Sequence, residues 1–217
     1  MNSENEITFK NIVFNGLLKK NPILVSGMVI APVVVIGNSF MNALALAAAF
    51  SVITFFTLIV SSFVPKNIVY TIRIIMYTFI GSLVYVPSAI LLSYLIPDGI
   101  NAMGIFFPLL IANGMIISRS ETIFFQESKG HMLLDMIFCI LGYDAAVLLY
   151  GLIREIIGSG TVCGRIIGMP VVFSGFATPF GGFILLGLMA ALLRVVLLTI
   201  KRVGKAEAGS PRGHTAV

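Results

Sequence analysis

The chain has 217 residues, 58% of them hydrophobic and 11% charged, with a mean hydropathy of +1.05 and a formal net charge of +5. That balance excludes a soluble globular domain and points to an integral membrane protein, because crossing a hydrocarbon core of about 30 Å takes about 20 apolar residues. The basic residues are scattered over short connections instead of gathering on one face, which excludes nucleic acid as the partner.

Residues 1–20 carry Glu4, Glu6, Lys10, Lys19 and Lys20 without a continuous apolar core. They read as a polar lead-in, not a cleavable signal peptide. A membrane domain is expected over 21–200, followed by a basic, disordered tail at 201–217. Within it, apolar segments fall at 22–36, 40–64 and 74–96, and again at 105–117, 132–153 and 176–200. The first of each three is short and the next two are long. An odd number of crossings in each half (21–97 and 101–200) makes the halves insert in opposite senses. The expected fold is an all-α bundle of six segments, two inverted three-segment repeats whose short helices are broken.

Pro32 removes a backbone donor from the first short segment and predicts a kink near Ile30–Pro32. Pro65-Lys66-Asn67 and Pro97-Asp98-Gly99 read as turns, and Gly81 with Pro87 predicts a bend in the third segment. In the second short segment, Pro108 and the Asn113-Gly114 dipeptide predict another break. The stretch from Arg119 to Gly130 reads as a charged connection along the surface. Arg154-Glu155 closes the fifth segment where the helix meets outer water. The bland reading is a solvated helix end, but the pair followed by Ile-Ile-Gly-Ser-Gly reads as more than that, and Gly158-Ser159-Gly160 opens a loop. With the N-terminus inside, Lys10, Lys19, Lys20, Lys66, Arg73, Arg119, Lys129, Lys201, Arg202, Lys205 and Arg212 fall on the cytoplasmic side. Only Arg154 and Arg165 fall outside, as the positive-inside rule requires. The expected location is a prokaryotic plasma (inner) membrane, multi-pass, with both termini cytoplasmic and the lipid bilayer as surroundings.

Three carboxylates are candidates for an ion pathway. Asp144 lies near the middle of the fifth segment, where an ionisable group marks function by default; its bland alternative is a structural carboxyl bonded to a neighbour. Glu155, eleven residues on, shares its helix face, so the two form a candidate acidic track. Asp135, nine residues before Asp144, faces the other way, and His131 is its expected neighbour. Cys139 and Cys163 have no metal-ligand spacing and read as unligated thiols. No phosphate loop or Ser/His/Asp set is present, so no catalytic residue is assigned.

Several strings carry a family resemblance: Ile30-Ala31-Pro32, Asn42-Ala43-Leu44, Gly104-Ile105-Phe106-Phe107-Pro108-Leu109, Ala112-Asn113, Leu134-Asp135 and, most specific, Leu152-Ile153-Arg154-Glu155-Ile156-Ile157-Gly158-Ser159-Gly160-Thr161. Over roughly residues 10–200 the chain resembles the six-helix membrane subunits of the Rnf and Na⁺-translocating NADH:quinone oxidoreductase (Nqr) complexes, most closely the RnfE/NqrD type. The resemblance implies a non-autonomous subunit of a redox-driven ion translocase. Its implied partners are a sister six-helix subunit of opposite topology and further membrane, flavin and iron–sulfur subunits. In that family each broken helix supplies one cysteine to an intramembrane iron–sulfur cluster. Here those positions hold Ala31, before Pro32, and Gly114, after Asn113, so this chain is expected to bind no cofactor or metal of its own. The alternative is a cysteine-less paralogue that moves a small solute or ion through the inverted-repeat cavity.

Overall fold

The computed structural model describes Asn21, 23–65, 67–122, 129–167 and 173–208; the expected lead-in and the last part of the tail lie outside the described residues. In chain order the helices are α1 (Ile30–Ile36), α2 (Phe40–Ser61), α3 (Tyr70–Leu95), α4 (Pro97–Met103), α5 (Phe106–Leu109), α6 (Gly114–Thr122), α7 (Lys129–Ser159) and α8 (Pro179–Ala208). A two-stranded antiparallel hairpin, β1 (Thr161–Val162) with β2 (Arg165–Ile166), follows α7. Four helices are long and apolar enough to cross a membrane: α2, α3, α7 from Leu134, and α8 to Ile200. Pro97–Met103 and the run from Phe106 pass that test only together and are bent by 81° at their break. The protein is a multi-pass, all-α membrane protein.

The centre of the bundle is the antiparallel pair α2 and α7. Phe40 meets Glu155 near one end, and Ser51 meets Asp144 eleven residues along each helix. Small residues allow this approach: a Cβ on Gly151 would stand 2.4 Å from Ala43 Cβ. In a bilayer, where lipid is as apolar as the helix surface, such backbone proximity is a main source of helix association. Phe50 and Tyr143 stack in the same interface, centroids 3.6 Å apart and planes 20° from parallel. The long faces of α3 and α8 remain largely uncovered.

Two ends can be named from side chains: the hairpin end, with Glu155 and β1–β2, and the basic end, with Arg73 and Arg119. The first broken segment starts where Asn21 Nδ2 donates to Gly142 O at 2.8 Å, in mid-α7. It leaves at the level of Arg154, twelve residues or about 18 Å higher, little more than half the apolar thickness.

Several local expectations need correction. The break in the first segment falls at Gly27–Val29, both with left-handed φ (63° and 59°), and Pro32 sits in the first turn of α1. A proline in a first turn interrupts no hydrogen bond, so it starts the helix instead of kinking it. Pro97-Asp98-Gly99 is the start of α4, with proline at its first position, and not a turn. Arg119 belongs to α6 and is 9% exposed, so it is no part of a surface connection. Helix α7 does not close at Arg154-Glu155 but runs to Ser159, and both residues are buried. Residues 201–208 continue α8, where a disordered tail is the sequence expectation.

Candidate functional site

The second break is built by one side chain. Asn113 is extended (φ −84°, ψ 139°) between a 3₁₀ turn (Leu110–Ala112) and α6. Its Oδ1 accepts from Ile116 N at 3.0 Å, capping α6, while Nδ2 donates to Leu110 O at 2.8 Å and to Thr54 Oγ1 at 3.4 Å. An asparagine supplies both donor and acceptor, which is why it can interrupt a helix at membrane depth without stranding the backbone. Asn21 acts similarly at the first segment, its Oδ1 accepting from Ile23 N and Leu24 N at 3.1 Å each.

The first residue of α6 faces the first break: a Cβ on Gly114 would lie 3.8 Å from Met28 Cγ and Sδ. Ala31, in the first turn of α1, and Gly114 are both exposed on the outside of the chain. The residues present do not fit an iron–sulfur cluster held by this chain, because neither position offers a thiolate. Cys139 is buried and its Sγ accepts from Arg119 Nη2 at 2.9 Å, while Cys163 lies in the hairpin. Among the described residues no group of three His, Cys, Asp or Glu side chains could hold a metal.

Asp144 lies half-buried on α7, its Oδ2 accepting from Ser51 Oγ at 2.5 Å, while Oδ1 has no donor among the described residues. It forms the polar floor of a groove of about 390 Å³ between α2 and α7, lined by Val52, Phe55, Ile137, Ile140 and Leu141 and open to the side of the bundle. Glu155 is on the same face, as its spacing predicts, but the close contact of Gly151 with Ala43 separates the two. Glu155 ties the start of α2 to the hairpin instead: it accepts from Phe40 N (2.7 Å) on α2 and from Thr161 Oγ1 (3.0 Å) and Gly164 N (2.9 Å) in the hairpin. Asp135 pairs with Arg119 Nη1 at 2.8 Å, both buried; the side chain of His131 lies outside the described residues.

Arg154, 1% exposed, is the largest fully buried side chain among the described residues. Its Nε donates to Phe176 O (2.8 Å), Nη2 to Ala177 O (3.0 Å) and Thr178 O (2.9 Å), and Nη1 to Val34 O and Tyr150 Oη. It ties the last turn of α1 to the chain entering α8. At the basic end, Arg73 Nη2 and Glu121 Oε2 are 2.6 Å apart, and Tyr77 Oη donates to Glu121 Oε1 at 2.9 Å. Helix α6 is thus fastened to α7 through Arg119 and to α3 through Glu121. The partners Ser51, Arg119, Glu121 and the carbonyls around Arg154 lie far away in the chain, and no spacing rule pairs them; only the charge of Arg119 and Glu121 is visible in the sequence.

A family model described as "Rnf-Nqr subunit, membrane protein" matches residues 9–190. The chain is 29% identical to the E-type subunit of the ion-translocating oxidoreductase complex of Haemophilus ducreyi over 169 residues, 78% of this chain and 73% of the relative. It is 30% identical to the equally named protein of Buchnera aphidicola, covering 90% of this chain and 93% of the relative. The E-type subunit of the Na(+)-translocating ferredoxin:NAD(+) oxidoreductase complex of Acetobacterium woodii is 28% identical, with 86% and 96% covered. With a match over most of its length and both broken segments in place, the chain belongs to the Rnf-Nqr family of membrane subunits.

Proposed function

We propose that this chain is a membrane subunit of an Rnf-like ion-translocating electron-transport complex, and that it contributes no ligand to an iron–sulfur cluster. The observation that carries the reading is the family match across residues 9–190, which includes both helix breaks. The second half rests on Ala31 and Gly114, which cannot bind iron where the two breaks approach each other. The chain then works through what it holds and positions, and does not turn over alone. Its partners are other membrane, flavin and iron–sulfur subunits, among them a sister six-helix subunit of opposite topology. The scarcity of basic residues near the hairpin end supports an arrangement of two inverted repeats with both termini inside a prokaryotic inner membrane.

Asp144 is the ionisable group of this chain most suited to a cation, because it alone of the three carboxylates keeps an oxygen without a donor among the described residues while lining a groove. The test is anaerobic purification of the tagged chain from native membranes, followed by iron analysis and electron paramagnetic resonance. Co-elution with other redox subunits is expected, with spectra unchanged by Cys139→Ser and Cys163→Ser. A chain that elutes without partners would sink the subunit reading. A cluster signal that disappears with either cysteine substitution would sink the reading that this chain binds none.

A further inference from the structure

On α2, Thr54, Thr57 and Ser61 recur at steps of three and four residues, so they share one face. All are buried to 1% exposure or less. That face meets α6 at its start, through the bond from Asn113 Nδ2 to Thr54 Oγ1. The two helices run the same way: α2 ends at the basic end, where α3 begins, and α6 ends there too, with Glu121 on Arg73 and Tyr77. Seven residues on from Thr54 is Ser61, and seven on from Asn113 is Ser120, 0% exposed. Carried on at that register, Ser61 would stand beside Ser120, with Thr57, whose methyl lies 3.6 Å from where a Cβ on Gly81 of α3 would be, one turn nearer Asn113. Thr57 Oγ1, Ser61 Oγ and Ser120 Oγ all lack a hydrogen-bond partner among the described residues.

A buried hydroxyl left unpaired suffers its full desolvation cost, and three in one seam is a pattern that close packing does not keep. Water is the smallest group that satisfies all three, and a polar seam is where buried water resides. At the mouth of this seam Ser120 stands between Arg119, which holds Asp135, and Glu121, which holds Arg73, so hydroxyls and not a free carboxylate are what it offers a cation.

We infer that the seam between α2 and α6 holds a chain of ordered water that carries a monovalent cation, Na⁺ or a proton, between the basic end and the break at Asn113. The inference rests on the reading of this chain as a subunit of an ion-translocating complex. Its test uses the intact complex and a matched pair of substitutions. Thr57→Val keeps the shape and loses the hydroxyl; Thr57→Ser keeps the hydroxyl and loses a methyl. Pulsed X-ray radiolysis converts bound water to hydroxyl radicals, which oxidise apolar neighbours. Leu58 and Ile116, 1% and 2% exposed, are shielded from bulk water and serve as reporters.

Both are expected to be oxidised in the wild type and in Thr57→Ser, and about tenfold less in Thr57→Val combined with Ser120→Ala. In proteoliposomes, reductant-driven uptake is expected to fall about tenfold or more in the same double variant and to persist in Thr57→Ser, since losing one solvating hydroxyl slows passage by about tenfold and the double variant loses two. Uptake of ²²Na⁺ and internal pH, read in parallel, tell the two ions apart. Absent labelling in the wild type overturns the water chain. Labelling with unchanged uptake in the double variant overturns conduction, and so does a Thr57→Ser as damaging as Thr57→Val. A wild-type complex that moves neither ion overturns the proposed function, while the labelling still reads the seam.

Discussion

Arg154 offers the sharpest quantitative test of how this fold is held. Arg154→Met keeps the length of the side chain and removes all five donors, leaving the carbonyls of Val34, Phe176, Ala177 and Thr178 without this partner. A hydrogen bond to a charged group contributes about 1.5–3 kcal/mol in water-soluble proteins. Polar contacts inside membranes average nearer 0.6 kcal/mol, because the unfolded helices find other partners. Four stranded carbonyls give a loss of about 2 kcal/mol on the membrane scale and about 6–12 kcal/mol on the other, and about 4, nearer the membrane value, is the working figure. For a chain of this size each kcal/mol shifts the unfolding midpoint by roughly 2–4 °C, so a fall of roughly 8–16 °C is expected.

Cys139 is a built-in reporter, since its thiol is fully buried and reacts with a maleimide dye only after the bundle opens. In a Cys163→Ser background the dye then reads unfolding alone. Arg154→Lys should recover part of the loss, because an ammonium has three donors at one point where the guanidinium spreads five over a plane. A midpoint for Arg154→Met within about 2 °C of the wild type would refute the reasoning. It would mean that the carbonyls find other donors at no cost.

Other consequences can be checked alongside. Gly151→Val places a Cβ 2.4 Å from that of Ala43 and should force α2 from α7, costing about 1–3 kcal/mol and weakening the near-ultraviolet dichroism of the Phe50–Tyr143 stack. Glu155→Ala frees the amides of Phe40 and Gly164, so both should exchange hydrogen about tenfold faster or more, whereas a merely solvated carboxylate would change neither. Arg119→Gln removes the cation paired with buried Asp135 and should destabilise by about 3–5 kcal/mol, with part of the loss recovered by adding Asp135→Asn. Asp144→Asn retains an acceptor for Ser51 and should fold like the wild type while losing ion-coupled transport; unchanged uptake would remove Asp144 from the pathway.

The sequence by itself determined the membrane class, the four long helices and the location of the second break. These follow from local properties: apolar length, a proline or glycine, an amide beside a glycine. It also placed Asp144 and Glu155 on one face, because helical period needs no neighbour. Beyond that, the local rules mislead wherever a distant partner decides. Pro32 reads as a kink, yet the backbone has already broken at Val29, so the proline begins α1. Arg154-Glu155 reads as a wet helix end, but a closing layer of carbonyls and amides from α1, α2, the hairpin and the entry to α8 buries both. The acidic track suggested by the spacing of Asp144 and Glu155 is interrupted by Gly151 packed on Ala43, a contact that only antiparallel helices bring about. The unpaired hydroxyls of Thr57, Ser61 and Ser120 are ordinary residues in the chain. Their burial without a partner among the described residues comes only from packing, with Thr57 and Ser61 on α2 and Ser120 on α6.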